Sequence, residues 1–312
     1  MPLDPVFEIY YCSYFGCNHF QDYSKFGRNF RWAGQMVFSA DTGIYFYSGN
    51  LLCCTRIPES LVPILVSHPM YYIHSIKNTK PIGDRIAYPF NIASILNLSE
   101  LRFRSPVTFI IGENGSGKST LVEAIAINAG FNPEGGTKNF NFHTKDSHSE
   151  LFKDLQVIRT AFRENDGFFL RAESFYNVAT EVDDIFEGDQ GALQKSYGGS
   201  LHECSHGESF LNLMHRRFSG RGLYLLDEPE SALSINSQLR LLTRMNQLVN
   251  NKSQFIIATH SPILLAYPDA EIYTVSELGL QQVDYEETEQ FKLYRYFLNN
   301  YQKMVAELGL HE

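Results

Sequence analysis

The chain has 312 residues, 44% of them hydrophobic and 20% charged, enough apolar material for a sizeable core in one large domain, and this excludes a disordered chain. A formal net charge of -9 argues against a protein that coats nucleic acid through bulk electrostatics, and leaves room for a local basic groove. No stretch reaches the roughly 18 apolar residues of a membrane span, residues 61–66 coming nearest, and without a basic-then-apolar leader the expected compartment is the cytoplasm.

Residues 1–65 are rich in Tyr and Phe and broken by Gly16, Gly27, Gly34, Gly43 and Gly49, a pattern of short antiparallel strands or loosely organised chain. They form an unassigned segment ahead of a domain expected over 66–312. Five cysteines, an odd count, read as reduced thiols rather than a disulfide frame. Cys12, Cys17, His19, Cys53 and Cys54 fit no standard zinc spacing. From Val107 onward, continuous apolar runs at 107–111, 223–226 and 255–258, with a shorter one at 168–170, alternate with helix-period segments. This is the pattern of a buried, mostly parallel sheet with crossover helices. Ile235, Leu239, Leu242, Met245 and Val249 recur at steps of 4, 3, 3 and 4, so they are expected on one face of a helix that covers the sheet. Residues 271–275 and 280–285 read as a strand pair around Gly279. A final amphipathic helix is expected to turn Phe291, Tyr294, Phe297, Leu298 and Tyr301 inward.

Three stretches carry chemistry. GENGSGKST comprises Gly112, Glu113, Asn114, Gly115, Ser116, Gly117, Lys118, Ser119 and Thr120. It matches G-x-x-x-x-G-K-[ST] between an apolar strand and an apolar-periodic helix over 121–129, the context a phosphate-binding loop requires. Its glycines let successive N–H groups and a helix N-terminus face the phosphates. Lys118 is assigned to the β and γ phosphates and the Ser119 hydroxyl to Mg²⁺. LYLLDEPE ends a buried strand in two carboxylates: Asp227 is assigned to Mg²⁺, and Glu228 to the attacking water as general base. ATHSP sets His260 past another buried strand, in reach of the γ phosphate. A fourth stretch, SHGES from Ser205 to Ser209, opens a helix whose apolar residues are Phe210, Leu211, Leu213 and Met214. Its plain reading is an N-cap with Glu208 complementing the helix dipole.

Taken in order, GENGSGKST, SHGES, LYLLDEPE and ATHSP resemble the nucleotide-binding domain of ABC-type ATPases. More narrowly they resemble the small bacterial AAA family ATPases of ABC type, through GFFLRAESFYNVATEV, SHGESF and SQFIIATHSPILLAYP as well. The resemblance implies an α/β P-loop fold with a mostly parallel central sheet, an antiparallel β portion towards the N-terminus and a short helical subdomain near 174–210. It implies ATP and Mg²⁺ as ligands. It also implies a homodimer in which Ser205, Gly207 and Glu208 of one copy meet the γ phosphate held by the other. His206 stands where the family commonly has glycine, Glu208 where it has glutamine, and Ser234 where it often has aspartate. No glutamine follows the strand at 168–170, so Arg171 or Glu173 takes that place, and Tyr88 or Phe90 is expected to stack on adenine. The activity expected is Mg²⁺-dependent ATP hydrolysis. The alternatives are a nucleotide-dependent switch for a protein effector or nucleic acid, in DNA maintenance or phage defence, and a transporter ATPase subunit, which the missing glutamine and short helical region disfavour. The basic cluster from His215 to Arg221 reads as a solvated helix end.

Overall fold

The tyrosine-rich start of the chain forms three short strands, β1 (Gln35–Ser39), β2 (Gly43–Ser48) and β3 (Leu51–Cys53). They pair antiparallel in that order, with Val37 opposite Tyr45 and Phe46 opposite Cys53. The structure is a computed structural model that describes residues 35–39, 43–48, 51–53, 71–138, 149–200, 202, 206–276 and 278–310. The chain divides into two units, Met1–His68, which holds these strands, and Pro69–Glu312. Cys12, Cys17, His19 and Cys54 lie outside the described residues, and no group of three or more His, Cys, Asp or Glu side chains placed to hold a metal occurs among the described ones.

The second unit runs β4 (Ile73–Asn78), α1 (Ala93–Leu96), β5 (Glu100–Arg102), β6 (Val107–Ile111), α2 (Lys118–Ala129), β7 (Leu155–Arg159), β8 (Asp166–Arg171), α3 (Phe175–Ile185), α4 (Gln190–Ser196), α5 (His206–Arg217), β9 (Gly222–Asp227), α6 (Ile235–Asn250), β10 (Gln254–Ala258), β11 (Glu271–Ser276), β12 (Gly279–Gln282) and α7 (Glu289–Glu307). Its main sheet has the order β12-β11-β6-β10-β9-β8. The five strands from β11 to β8 are parallel. β12 returns antiparallel through the turn at Gly279, as the sequence pattern implies. Every residue of β6, β9 and β10 is buried, because helices or a second sheet cover both faces of a parallel sheet. Alternate side chains therefore enter two cores. Phe109, Tyr224, Leu226 and Ile257 pack with α3, α4, α5 and α6 on one face. Ile110, Leu223, Leu225 and Ile256 pack with α2 and a three-stranded antiparallel sheet, β5-β4-β7, on the other. The buried Gln254 side chain joins the two sheets by accepting from the N–H groups of Tyr72 and Ile73 at 2.8 and 2.9 Å and donating to the Ile73 carbonyl at 3.0 Å.

Two expected helix faces are corrected. α6 buries Gln238, Leu241, Met245 and Leu248, with Leu242 and Val249 half-buried, while Ile235 and Leu239 are exposed. Gln238 sets this rotation: its amide donates to the Leu233 carbonyl at 3.1 Å and accepts from Ser261 Oγ at 2.5 Å, a satisfied polar group at a core position that an apolar count overlooks. α7 buries none of its residues, and Tyr294, Phe297, Leu298 and Tyr301 are exposed rather than inward. Its first turn is capped by Thr288 and set by Phe291, whose ring packs on Tyr285 with centroids 4.7 Å apart.

Candidate functional site

Residues 112–117 join the C-terminal end of β6 to the first turn of α2, so the loop sits at the sheet edge where α/β folds hold ligands. Gly117 caps α2 in the left-handed region at φ 90°, ψ 16°. A Cβ there would stand 2.3 Å from Ile92 Cδ1 and 2.5 Å from Ser94 Oγ, so only glycine fits. The first N–H groups of a helix have no partner within it, and those of α2 follow directly on this loop. Lys118 is buried and donates from Nζ to the carbonyls of Gly112 and Glu113, each at 2.9 Å. Burial lowers its pKa, and the carboxylates of Glu228, Asp227 and Glu230 oppose that shift. Glu113, Asn114 and Gly115 are exposed, and Ser116 and Thr120 partly so.

Asp227 ends β9 beside this loop and is 5% exposed. Burial pushes its pKa up to about 6, against the opposing effects of the Arg171 guanidinium and a hydrogen bond from Ser119. The two residues assigned to the metal, Ser119 and Asp227, are thus in contact. Glu228 follows in the left-handed region at φ 51°, ψ 51°, an uncommon backbone state for glutamate that persists where surroundings enforce it. Its N–H donates to the Ala258 carbonyl at 2.9 Å, and its carboxylate Oε1 lies 3.6 Å from His260 Nε2. The three motifs therefore converge: Lys118, Ser119, Asp227, Glu228 and His260 line one site at the ends of β6, β9 and β10.

The tip that begins α5 behaves differently. Ser205 lies outside the described residues. Gly207 is half-buried, with a Cβ at that position reaching 2.9 Å from the Ala232 carbonyl, and Glu208 is exposed. α5 packs in the core on one face of the main sheet and α2 in the core on the other, so this chain's own tip and its Lys118 belong to opposite layers. Of the aromatic pair upstream, Phe90 is buried with Lys80 Nζ 3.7 Å over its ring, whereas Tyr88 is exposed. Ser234 accepts from Ser237 N–H at 3.3 Å as the N-cap of α6.

Four buried polar atoms here lack a hydrogen-bond partner: Ser116 Oγ, Asp227 Oδ1, Arg171 Nε and His260 Nε2. Buried groups of this kind are ordinarily paired. The Asp227 carboxylate and the Ser119 hydroxyl beside it are hard oxygen donors, the kind that Mg²⁺ accepts while keeping waters and phosphate oxygens as its other ligands. Unpaired nitrogen donors beside them suit phosphate oxygens. The residues present therefore fit Mg²⁺ and a nucleotide polyphosphate.

Sequence reading missed two elements of the site. Glu230, three residues after Asp227, accepts from Thr259 Oγ1 at 2.7 Å and from the His260 N–H at 2.5 Å, so it fixes the turn that carries the histidine. Glu123 accepts from Arg171 at 2.6 Å and from the Ser149 N–H at 3.0 Å. The available signal was a carboxylate set within the apolar run Leu121, Val122, Ala124 and Ile125, where a charge implies a buried partner.

The family model of the AAA domain matches residues 90–267, more than half of the chain. An ABC transporter ATP-binding protein of Haemophilus influenzae is 34% identical over 85 residues, which cover 27% of this chain and 32% of that protein. The zinc import ATP-binding protein ZnuC of Wolbachia pipientis wMel is 26% identical over 64% of this chain and 80% of its own length. The energy-coupling factor transporter ATP-binding protein EcfA2 of Methanospirillum hungatei is 24% identical over 62% of this chain. The chain spans about a third of the Haemophilus protein and 51% of EcfA2. With the phosphate-binding loop, Asp227 and Glu228 assembled at the sheet edge and the family match extending across them, the chain belongs to the AAA domain family.

Proposed function

We propose that the chain binds Mg²⁺ and ATP at residues 112–120 and hydrolyses the β–γ phosphoanhydride bond between two copies arranged head to tail. The observation that carries this reading is the set of four unpaired buried atoms, from Ser116, Arg171, Asp227 and His260, gathered around one phosphate-binding loop. Lys118 gives up its two carbonyl partners for the β and γ phosphate oxygens, and the N–H groups of the loop and of α2 hold the rest of the polyphosphate. Ser119 and Asp227 hold Mg²⁺, which neutralises charge building on the phosphates. Glu228 accepts a proton from the attacking water as that oxygen bonds to the γ phosphorus, and the bridging oxygen departs with ADP. His260 donates from Nε2 to a γ phosphate oxygen, and Tyr88, the exposed aromatic, meets the adenine.

The homodimer draws support from the layering of the fold. Gly207 and Glu208 lie on the opposite layer from their own Lys118, so a phosphate at Lys118 meets a helix tip of this kind from a second copy. A helix N-terminus carries about half a positive charge, which favours that approach. Phosphate release assayed with Mg²⁺, with EDTA, and with the Glu228→Gln variant tests the reading. Release is expected with Mg²⁺ alone, with a loss of about 100-fold or more in the variant, in the range typical of a general base. Equal turnover in the variant overturns the assignment of Glu228. A second reading, an ATPase subunit serving a membrane protein, takes its support from the transporter descriptions of the relatives. Co-purification with an integral membrane protein tests it. No helix among the described residues is long and apolar enough to cross a membrane.

A further inference from the structure

Arg171 closes β8 directly opposite Asp227 in the parallel ladder, so both side chains leave neighbouring strand ends at the same site. Its guanidinium faces three carboxylates. Nη1 lies 2.6 Å from Glu123 Oε2, Nε 3.5 Å from Asp227 Oδ2 and Nη2 3.7 Å from Glu173 Oε2. The first is a short charge-assisted hydrogen bond, and the other two are longer than such bonds. Glu123 is itself held by the Ser149 N–H, so the guanidinium is braced from the α2 side and does not close onto Asp227. The result is a buried Nε–H without an acceptor beside a buried Asp227 Oδ1 without a donor. Buried groups left unpaired in this way are unfavourable. A ligand that brings an anionic oxygen and a cation together satisfies both, and a metal–phosphate unit has that composition.

Resting on the reading of the site as an Mg²⁺–ATP site, we propose that Arg171 is a substrate-contacting residue whose Nε–H donates to an oxygen of the terminal phosphate, with Glu123 bracing the guanidinium from behind. The terminal phosphate is chosen because Glu228, the next residue after Asp227, and His260 gather at the same end of the site, whereas Tyr88 stands on the segment before β6. Lys118 and Arg171 then grip the polyphosphate from two elements, α2 and β8.

Calorimetric titration of the full chain with ATP and with ADP, both with Mg²⁺ and on ice to suppress turnover, tests this. Arg171→Met and Arg171→Lys are expected to weaken ATP binding by tenfold or more and ADP binding by less than twofold. Lysine retains a charge for Glu123 and so protects the fold, but its single ammonium cannot pair with Glu123 and the phosphate together; it decides the matter where the methionine variant does not fold. Glu123→Gln, which leaves the arginine and removes its brace, gives a smaller loss of the same kind. Unchanged affinities in the Arg171 variants, or equal losses for ATP and ADP, overturn the proposal while leaving the nucleotide site standing. A wild-type chain that binds neither nucleotide overturns both.

Discussion

Replacing Gly117 by alanine separates the steric account of the phosphate loop from a merely conformational one. Two costs fall on that position. The left-handed backbone at φ 90° disfavours any residue with a Cβ, by about 1–2 kcal/mol. The added methyl also enters space held by Ile92 Cδ1 at 2.3 Å and Ser94 Oγ at 2.5 Å, and overpacking of that kind costs about 1–3 kcal/mol. Gly115 supplies the control: its φ is +79°, yet a Cβ there meets nothing within 4 Å, so Gly115→Ala carries the backbone cost alone. Summed, Gly117→Ala is expected to destabilise by about 2–5 kcal/mol and Gly115→Ala by about 1–2 kcal/mol. At about 2–4 °C per kcal/mol for a domain of 150–250 residues, the difference is several degrees in Tm. The assay is thermal unfolding followed by circular dichroism without nucleotide, because a bound ligand would add its own linkage to each variant. Equal Tm shifts in the two variants would refute the packing of Ile92 and Ser94 against the loop.

Two further predictions concern partly buried carboxylates. Asp166 accepts from Arg217 Nη1 at 2.7 Å, the Gly167 N–H at 2.8 Å, the Ser219 N–H at 2.8 Å and Tyr224 Oη at 2.8 Å; burial alone raises its pKa, but the Ser219 N–H and the Arg217 charge hold it below the usual value. Asp166→Asn turns an amide N–H₂ towards those donors and is expected to cost about 1–3 kcal/mol near neutral pH. Because the folded-state pKa is depressed, this stabilisation is present above the unfolded value of about 3.9 and is lost as pH falls through the folded one; the Tm gap between wild type and variant should narrow in strong acid, and a constant gap contradicts the pairing. Glu230→Ala frees the Thr259 hydroxyl and the His260 N–H, so kcat should fall about tenfold or more with KM little changed, and steady-state kinetics showing the reverse split would contradict a role in placing His260.

The parts of this site that were legible in the sequence are those whose geometry is local. Gly112 to Thr120 is one strand–turn–helix, and Asp227 with Glu228 is a strand and its next residue, so motif and period sufficed. Arg171 and Glu123 are 48 positions apart and meet only because β8 and α2 flank the same loop, which no spacing encodes. The face of α6 was misread for a related reason: Gln238 is core because Ser261 and the Leu233 carbonyl satisfy it, a tertiary fact. α7 carries the 3.6-residue aromatic stripe of an inward helix but stands exposed along it, since periodicity shows that an apolar face exists and not what it meets.

The account depends most on ATP joining two copies of the chain through the tip that begins α5. Sedimentation velocity of the Glu228→Gln variant with ATP and Mg²⁺ measures this directly. The account predicts a dimer that dissociates when ADP replaces ATP or when the exposed Glu208 is changed to tryptophan in the same background. A monomer at saturating ATP, or a dimer indifferent to both changes, contradicts it.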